Sequence, residues 1–222
     1  HGSHVAGTIG ALSNNSAGIA GINWVSKILP LRVLGKCGGY TSDIVDAIRW
    51  SVGLPIANVP DNPNPARVLN MSFGGGGACG TAWQSAINDA LAHNAVAVVA
   101  AGNSNVDASQ STPANCSGVI TVGATGRAGQ RAYYSNFGTS VEISAPGGSA
   151  NDGESGVLST LNNGTTSPSS SGYNYVYYQG TSMATPQISG VVSLMLAANP
   201  TLTAEQILQM LRATAKPFPA SQ

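Results

Sequence analysis

Ser182 is the residue whose surroundings best suit a nucleophile. It lies in the stretch GTSMATP at 180–186, at the start of an apolar helix that we predict over 182–199. A helix N-terminus carries partial positive charge, which favours an ionised oxygen beside it. Gly180 permits a tight turn before the helix, and Pro186 lies near the first turn, where a missing N–H costs little. For this stretch alone, a serine that only caps the helix is the alternative.

A serine nucleophile needs a general base, and the order of residues limits which histidine can supply it. The three histidines, His1, His4 and His93, all precede Ser182. An α/β-hydrolase places its histidine after the serine and uses G-x-S-x-G, whereas Ala184 occupies the last position of that pattern here. A His1–His4 metal pair is a further alternative, although no third ligand is evident.

The acid of a Ser-His-Asp triad is harder to assign. A chymotrypsin-like order requires an acid between base and nucleophile, but Asp43, Asp46 and Asp89 each fall within a predicted helix. The remaining order, acid then base then nucleophile, requires an acid upstream of His1.

Asn103 is a candidate hydrogen-bond donor to a developing negative charge. The apolar run at 95–101 predicts a buried strand, and Asn103 follows Gly102 at its carboxyl end. Open α/β sheets place their sites at that edge, where an amide N–H can bind an oxyanion. The alternative for a single asparagine after a strand is a turn.

Predicted strands alternate with predicted helices, which indicates an α/β fold with a mostly parallel sheet in one domain. The segments at 54–66 and 148–172 are predicted to be polar or proline-rich insertions. The predicted strands are 27–34, 66–73, 95–101, 118–124 and 141–147, and the predicted helices are 2–11, 41–52, 81–94, 182–199 and 203–215. Thr41 or Ser42 is the expected N-cap of the second helix, and Thr203 with Gln206 has the spacing of a capping box.

The composition excludes several classes of function. Charged residues make up 8% of the chain and cancel to zero, so no basic patch for nucleic acid is expected. No apolar run reaches the roughly 18 residues of a membrane helix. The scarcity of charge is typical of secreted hydrolases.

Cys37, Cys79 and Cys116 lack the C-x-x-C spacing of zinc sites and predict one disulfide with one cysteine left over, or else three buried thiols.

Four motifs together resemble the subtilisin family of serine endopeptidases: HGSHVAGTIGAL, LNMSFGG, AAGN and GTSMATP, in that order, over residues 1 to about 215. The resemblance implies a three-layer α/β sandwich and hydrolysis of peptide bonds through an acyl-enzyme. It makes His1 the general base, Ser182 the nucleophile, and Asn103 with the backbone N–H of Ser182 the oxyanion hole. It makes His4 a structural residue, hydrogen-bonded in the core.

The resemblance also implies a substrate groove. One wall of the primary specificity pocket would be formed by Ser72, Phe73 and Gly74. The other wall would be formed by Ala100, Ala101 and Gly102. Gly38 and Gly39 would form an edge strand that pairs with the substrate backbone. No carboxylate occurs in these walls, so no strong preference for Arg or Lys is expected. Gly74–Gly77 lack the G-K-[ST] of a phosphate loop.

Three further features follow from the same resemblance. The stretch 13–22 is similar to the family's calcium loop, with the Asn15 side chain and the Ala17 and Ile19 carbonyls as ligands of a structural calcium ion, or else it is a plain turn. Cys37 and Cys79 would form the disulfide. Thr112–Pro113 is expected to be cis.

The chain departs from the family pattern in two ways. Gln187-Ile188 replaces the usual His-Val after the proline, and the family's catalytic Asp lies upstream of the histidine, where no residue can be assigned. We therefore expect a secreted, monomeric endopeptidase acting on polypeptides, represented by a single domain incomplete at both ends and nearly inactive in isolation. A non-catalytic, peptide-binding subtilase-like domain and an esterase or amidase on another α/β fold are the alternatives.

Overall fold

The computed structural model describes residues 1–153 and 155–219, which contain five helices, eight strands and two short 3-10 turns at Ala108–Gln110 and Ala150–Asp152. The helices are α1 Gly2–Gly10, α2 Thr41–Ser51, α3 Thr81–Ala92, α4 Thr181–Ala198 and α5 Ala204–Thr214. The strands are β1 Val68–Met71, β2 Gly75–Gly76, β3 Val96–Ala100, β4 Ser111–Thr112, β5 Ile120–Thr125, β6 Ile143–Pro146, β7 Val157–Asn162 and β8 Tyr173–Tyr178.

The central sheet has four parallel strands in the order β1-β3-β5-β6, which confirms the α/β prediction. Every residue of β3 and of β5 is buried, as expected for strands covered on both faces. Their β-branched residues suit this pleated, buried setting. The carboxyl ends of β1 and β3 lie side by side and carry Ser72 and Asn103 beyond them.

Two helical layers cover the sheet. Ala97 and Val99 of β3 belong to one apolar cluster with α2 and α3, whereas Val96 and Val98 belong to a second cluster with α4 and α5. Successive side chains of a strand point to opposite faces, so β3 serves both cores. The result is the three-layer arrangement that the resemblance implied. None of the described helices is long and apolar enough to cross a membrane.

The helix-start predictions had mixed outcomes. The Thr203–Gln206 capping box at α5 is confirmed, with Gln206 N donating to Thr203 Oγ1 at 3.2 Å and Thr203 N to Gln206 Oε1 at 3.0 Å. The predicted cap of α2 is wrong, because Tyr40 occupies the N-cap position and no side chain bonds to the helix start. Thr41 and Ser42 lie inside the first turn instead.

The predicted strand at 27–34 is wrong. These residues form no ladder, and alternating members such as Ile28 and Leu34 are 41% and 42% exposed. A strand requires a neighbour that pairs with its backbone groups, and the described residues place none beside this segment. A run of mostly apolar residues does not by itself supply that partner.

The predicted insertion at 148–172 contains a strand that sequence analysis missed. β7 pairs with β8 in an antiparallel hairpin, from Val157 opposite Tyr178 to Asn162 opposite Tyr173. The Asn162 side chain organises the loop between the strands, since its Oδ1 accepts from Gly164 N and Ser169 N and its Nδ2 donates to Ser169 O. Polar composition concealed β7, whose inner face packs against α1.

The disulfide links Cys79 to Cys116, so the predicted Cys37–Cys79 pairing is wrong. The antiparallel pairing of β2 with β4 brings the segment before α3 beside the turn that carries Cys116. Cys37 is free and exposed in the turn between Gly35 and Gly38. The prediction of one disulfide and one leftover cysteine holds in number but not in pairing. The Thr112–Pro113 peptide bond is cis, as expected.

Candidate active site

Ser182 lies in the first turn of α4, as the sequence predicts. Gly180 precedes the helix with a φ of +148°, a conformation that glycine adopts easily, and its N–H donates to Gly147 O at 3.0 Å. Ser182 is half-buried, and its Oγ donates to Ser72 O at 3.0 Å. The hydroxyl is therefore reachable from solvent while held against the end of β1.

Among the described residues, the Asn103 side chain is hydrogen-bonded only through its oxygen, Oδ1. Its Oδ1 accepts from Thr181 N at 2.8 Å and from Thr181 Oγ1 at 2.9 Å. Thr181 is fully buried, and its Oγ1 also accepts from Gly102 N at 3.2 Å. These bonds fix the amide so that Nδ2, which has no hydrogen-bond partner among the described residues, remains available to donate. The sequence did not single out Thr181 as the residue that orients Asn103.

One cavity of about 390 Å³ brings many of the predicted residues together. Seven of those residues line it: Phe73, Gly74, Ala100, Ala101, Gly102, Asn103 and Ser182. The remaining lining residues are Gly75, Gly76, Ser104, Val106, Gln110, Ser111, Asn136 and Thr181. None of these side chains is charged. The cavity therefore suits an uncharged side chain beside the Ser182 hydroxyl.

Asn136 shapes the floor of this cavity and was missed by sequence analysis. Its side chain is buried, donating to Ala101 O and Ser111 Oγ at 2.9 Å each and accepting from Ser104 N and Val106 N at 3.0 and 3.2 Å. A side chain on Gly102, whose φ is +106°, would collide with this amide. The stretch SNFG at 135–138 resembles an ordinary turn, so sequence offered no signal for this role.

Ser72, which the resemblance places in a wall of the pocket, does not line this cavity and contacts Ser182 instead. Its carbonyl accepts from Ser182 Oγ, and its own Oγ donates to Ser182 O at 2.9 Å. Asn70 Nδ2 in turn donates to Ser72 Oγ at 2.9 Å. Ser72 is buried, so these bonds are shielded from water.

The two histidines at the start of the chain differ in environment. His1 is exposed at the N-cap of α1, does not line the cavity, and its side chain makes no hydrogen bond to any residue in 2–153 or 155–219. His4 is fully buried, as predicted. Its Nε2 lies 3.1 Å from Val157 O and 2.9 Å from Val176 O, and its ring stacks on Tyr178. Burial lowers the pKa of His4.

The loop at 13–22 forms a turn in which Asn15 Oδ1 accepts from Ala17 N at 3.1 Å. Ala17 is exposed and Ile19 is half-buried. A calcium ion needs six to eight oxygen ligands, usually with carboxylates, and this loop has none. The described residues hold no cluster of three His, Cys, Asp or Glu side chains suited to a metal. The loop by itself does not fit a calcium ion, and the ligand set stays a prediction.

Gly38 and Gly39 lie apart from the cavity lining. Gly38 has a φ of +100° and closes a turn in which Gly35 N donates to Gly38 O at 2.8 Å. Gly39 packs directly against Val33 O, which leaves no room for a side chain. Their pairing with substrate stays a prediction.

Comparison with known proteins gives consistent matches over the whole chain. The peptidase S8 model, described as the subtilase family, matches residues 1–221. An extracellular protease of Xanthomonas campestris pv. campestris is 50% identical over 222 residues, covering 100% of this chain and 37% of that protein. An extracellular basic protease of Dichelobacter nodosus is 46% identical, covering 98% of this chain and 35% of that protein. The chain therefore spans about a third of the length of these relatives.

Solved structures agree. A protease from Pseudoalteromonas arctica matches with a TM-score of 0.92 and 50% identity, covering 98% of this chain and 64% of that one. A cold-adapted subtilisin-like serine proteinase matches with a TM-score of 0.74 and 34% identity, covering 98% and 69%.

Proposed function

Because the chain belongs to the subtilase family of serine proteases, we propose that its parent protein is an endopeptidase that cleaves polypeptides through an acyl-enzyme on Ser182. The observation that carries this proposal is the meeting of Ser182 and Asn103 at one uncharged cavity, reached from the ends of α4 and β3. Nucleophile and oxyanion donor must lie together for acyl transfer.

The proposed first step is attack by Ser182 Oγ on the scissile carbonyl. His1 takes the hydroxyl proton as general base and later gives it to the leaving amine. The hydroxyl must first leave Ser72 O, its acceptor in the structure. No described carboxylate bonds to His1, so the acid that orients the imidazole is unassigned.

The negative charge that develops on the carbonyl oxygen would be bound by Asn103 Nδ2 and the backbone N–H of Ser182. Support comes from the two bonds that Thr181 makes to Asn103 Oδ1, because they orient Nδ2 before substrate binds. A donor fixed in advance needs no reorganisation during the reaction, which is why such groups lower barriers.

The side chain before the cleaved bond would enter the cavity between Phe73–Gly74 and Ala100–Gly102. Its lining has no charge to pair with Lys or Arg, so burying a cation there would be unfavourable. We therefore propose uncharged residues at this position. Secretion is proposed from the composition, and two relatives carry the name extracellular protease.

Hydrolysis of matched peptides by the native, full-length parent protein tests the proposal. Peptides that differ only in Phe, Leu or Lys before the cleaved bond should be cut with higher kcat/KM for the uncharged residues. Ser182→Ala should abolish cleavage, whereas the control Ser170→Ala, at an exposed serine in the β7–β8 loop, should not change it. Unchanged cleavage by Ser182→Ala would contradict the proposal, as would no cleavage by the native protein.

A further inference from the structure

Pro186 removes a hydrogen bond from the backbone of the nucleophile itself. In an α-helix the carbonyl of residue i accepts from the N–H of residue i+4, so Ser182 O would accept from residue 186. Pro186 is the sixth residue of α4, beyond the first turn near which the sequence placed it, and it has no N–H to donate. The carbonyl of Ser182 thus lacks its ordinary helical donor.

Ser72 provides a donor at that position. Ser72 Oγ lies 2.9 Å from Ser182 O and donates to it, across the interface between the end of β1 and the start of α4. Ser72 is only 6% exposed, so water competes weakly for this bond. A carbonyl shielded from water is unfavourable without a donor, so the hydrogen bond from Ser72 stabilises the backbone at Ser182.

Asn70 sets the direction in which the Ser72 hydroxyl points. Asn70 Nδ2 donates to Ser72 Oγ at 2.9 Å, and Asn70 Oδ1 accepts from Ser189 Oγ at 2.8 Å. Because Ser72 Oγ accepts a hydrogen bond from Asn70, its own hydrogen is directed towards Ser182 O. Ser189 is buried on α4, so both ends of this chain of bonds are anchored in the same helix.

We propose that Asn70 and the Ser72 hydroxyl are positioning residues that replace the helical hydrogen bond lost to Pro186 and so fix the backbone of Ser182. The inference rests on the proposed function, since it concerns how the nucleophile is oriented. The Ser182 carbonyl and side chain are both held by Ser72, while the Ser182 N–H serves the oxyanion. A misplaced backbone would disturb attack and charge stabilisation together.

A double-mutant cycle between Ser72→Ala and Pro186→Ala tests the proposal in the native protein. In the cycle, Ser72→Ala should lower kcat about tenfold with KM little changed, as loss of one buried hydrogen bond predicts. In a Pro186→Ala background, the substituted residue has a backbone N–H that restores the helical donor, and the same change at Ser72 should lower kcat less than about threefold. The rate of labelling by a fluorophosphonate should follow kcat.

Asn70→Asp is a second variant that preserves shape. The carboxylate accepts a hydrogen bond from the Ser72 hydroxyl instead of donating one to it, so the hydroxyl turns away from Ser182 O. It should match the loss seen in Ser72→Ala and be relieved by Pro186→Ala in the same way. If Ser72→Ala does not fold, Asn70→Asp tests the positioning role in its place.

The inference would be overturned if Ser72→Ala lowered kcat equally with Pro186 and with Pro186→Ala. Unchanged kcat in both Ser72→Ala and Asn70→Asp would also overturn it. These outcomes differ from failure of the proposed function, in which the unsubstituted protein neither hydrolyses peptides nor takes up the label. Loss of stability without the coupling to Pro186 would also count against a positioning role.

Discussion

The side-chain oxygen of Asn103 is hydrogen-bonded, whereas its amide nitrogen has no partner among the described residues. Thr181 holds its Oδ1, and the amide therefore offers Nδ2 to the cavity. Sequence predicted Asn103 as an oxyanion donor from its place after an apolar strand. It did not predict the threonine that orients it, because nothing in G-T-S distinguishes a positioning hydroxyl from a capping one.

Asn103→Leu keeps the approximate shape of the side chain and removes the donor. We expect kcat to fall by about 10²- to 10³-fold with KM little changed, the magnitude measured for the corresponding asparagine of subtilisin rather than one obtained from this structure. Steady-state kinetics on a matched peptide measures it, with circular dichroism as the folding control. A change confined to KM would mean that Asn103 binds the ground state only.

At the scale of elements, α1 depends on the β7–β8 hairpin. His4 Nε2 lies within hydrogen-bond distance of a carbonyl on each strand, and Ser159 Oγ donates to His4 O at 2.7 Å. Gly7 lies against Ser159 and Thr160 with no room for a side chain. The small residues at 2–11 predicted α1, but the hairpin against which it packs could not be found from a segment rich in Ser, Gly and Asn.

His4 should make the fold sensitive to acid. Burial lowers its pKa in the folded protein, so below the unfolded value of about 6.5 the unfolded chain binds the proton more readily. Stability is thus full above that pH and falls as the pH drops from about 6.5 towards the lower folded pKa. Thermal unfolding of the Ser182→Ala protein, which avoids self-digestion, should show a lower Tm at pH 5 than at pH 7.

His4→Gln in the same background removes this titration and retains a donor for one strand carbonyl. Its Tm should be lower than that of the Ser182→Ala protein at pH 7 but should change less between pH 7 and pH 5. Equal pH dependence with and without His4 would show that the acid sensitivity arises elsewhere.

The α5 capping box offers a test of a prediction made from sequence alone. Thr203→Ala removes the acceptor of Gln206 N and should lower the free energy of unfolding by about 1 kcal/mol. Thr81→Ala is the matched control, since exposed Thr81 starts α3 without capping it. Denaturant unfolding measures both, and equal effects would show that the box contributes nothing specific.

At the scale of the whole molecule, the disulfide ties the α3 layer to the turn after β4. Alternation of apolar segments predicted the parallel sheet and its covering helices. The pairing of three cysteines depends on which loops meet in space, and the β2–β4 contact that joins Cys79 to Cys116 involves two-residue strands in a glycine-rich segment. Such short strands leave no periodic pattern that would indicate this contact, and the Cys37–Cys79 pairing that the family resemblance implied is wrong.

Cys116→Ser, with Cys79→Ser to avoid a free thiol, should lower the free energy of unfolding by about 2–4 kcal/mol, because the closed loop no longer restricts the unfolded chain. Cys37→Ser is the control and should leave stability unchanged, since Cys37 is exposed and unpaired. Denaturant unfolding of the oxidised protein measures the difference. The opposite pattern, with Cys37→Ser destabilising, would favour the rejected pairing.

Covalent labelling tests most directly whether Ser182 is an activated nucleophile in the native protein. A fluorophosphonate should form one adduct, located by peptide mass spectrometry on Ser182, and Ser182→Ala should prevent it. Asn103→Leu should slow the labelling, since the phosphonyl oxygen would occupy the oxyanion site. No adduct on Ser182 in folded native protein would contradict the account and indicate a subtilase domain that binds peptides without cleaving them.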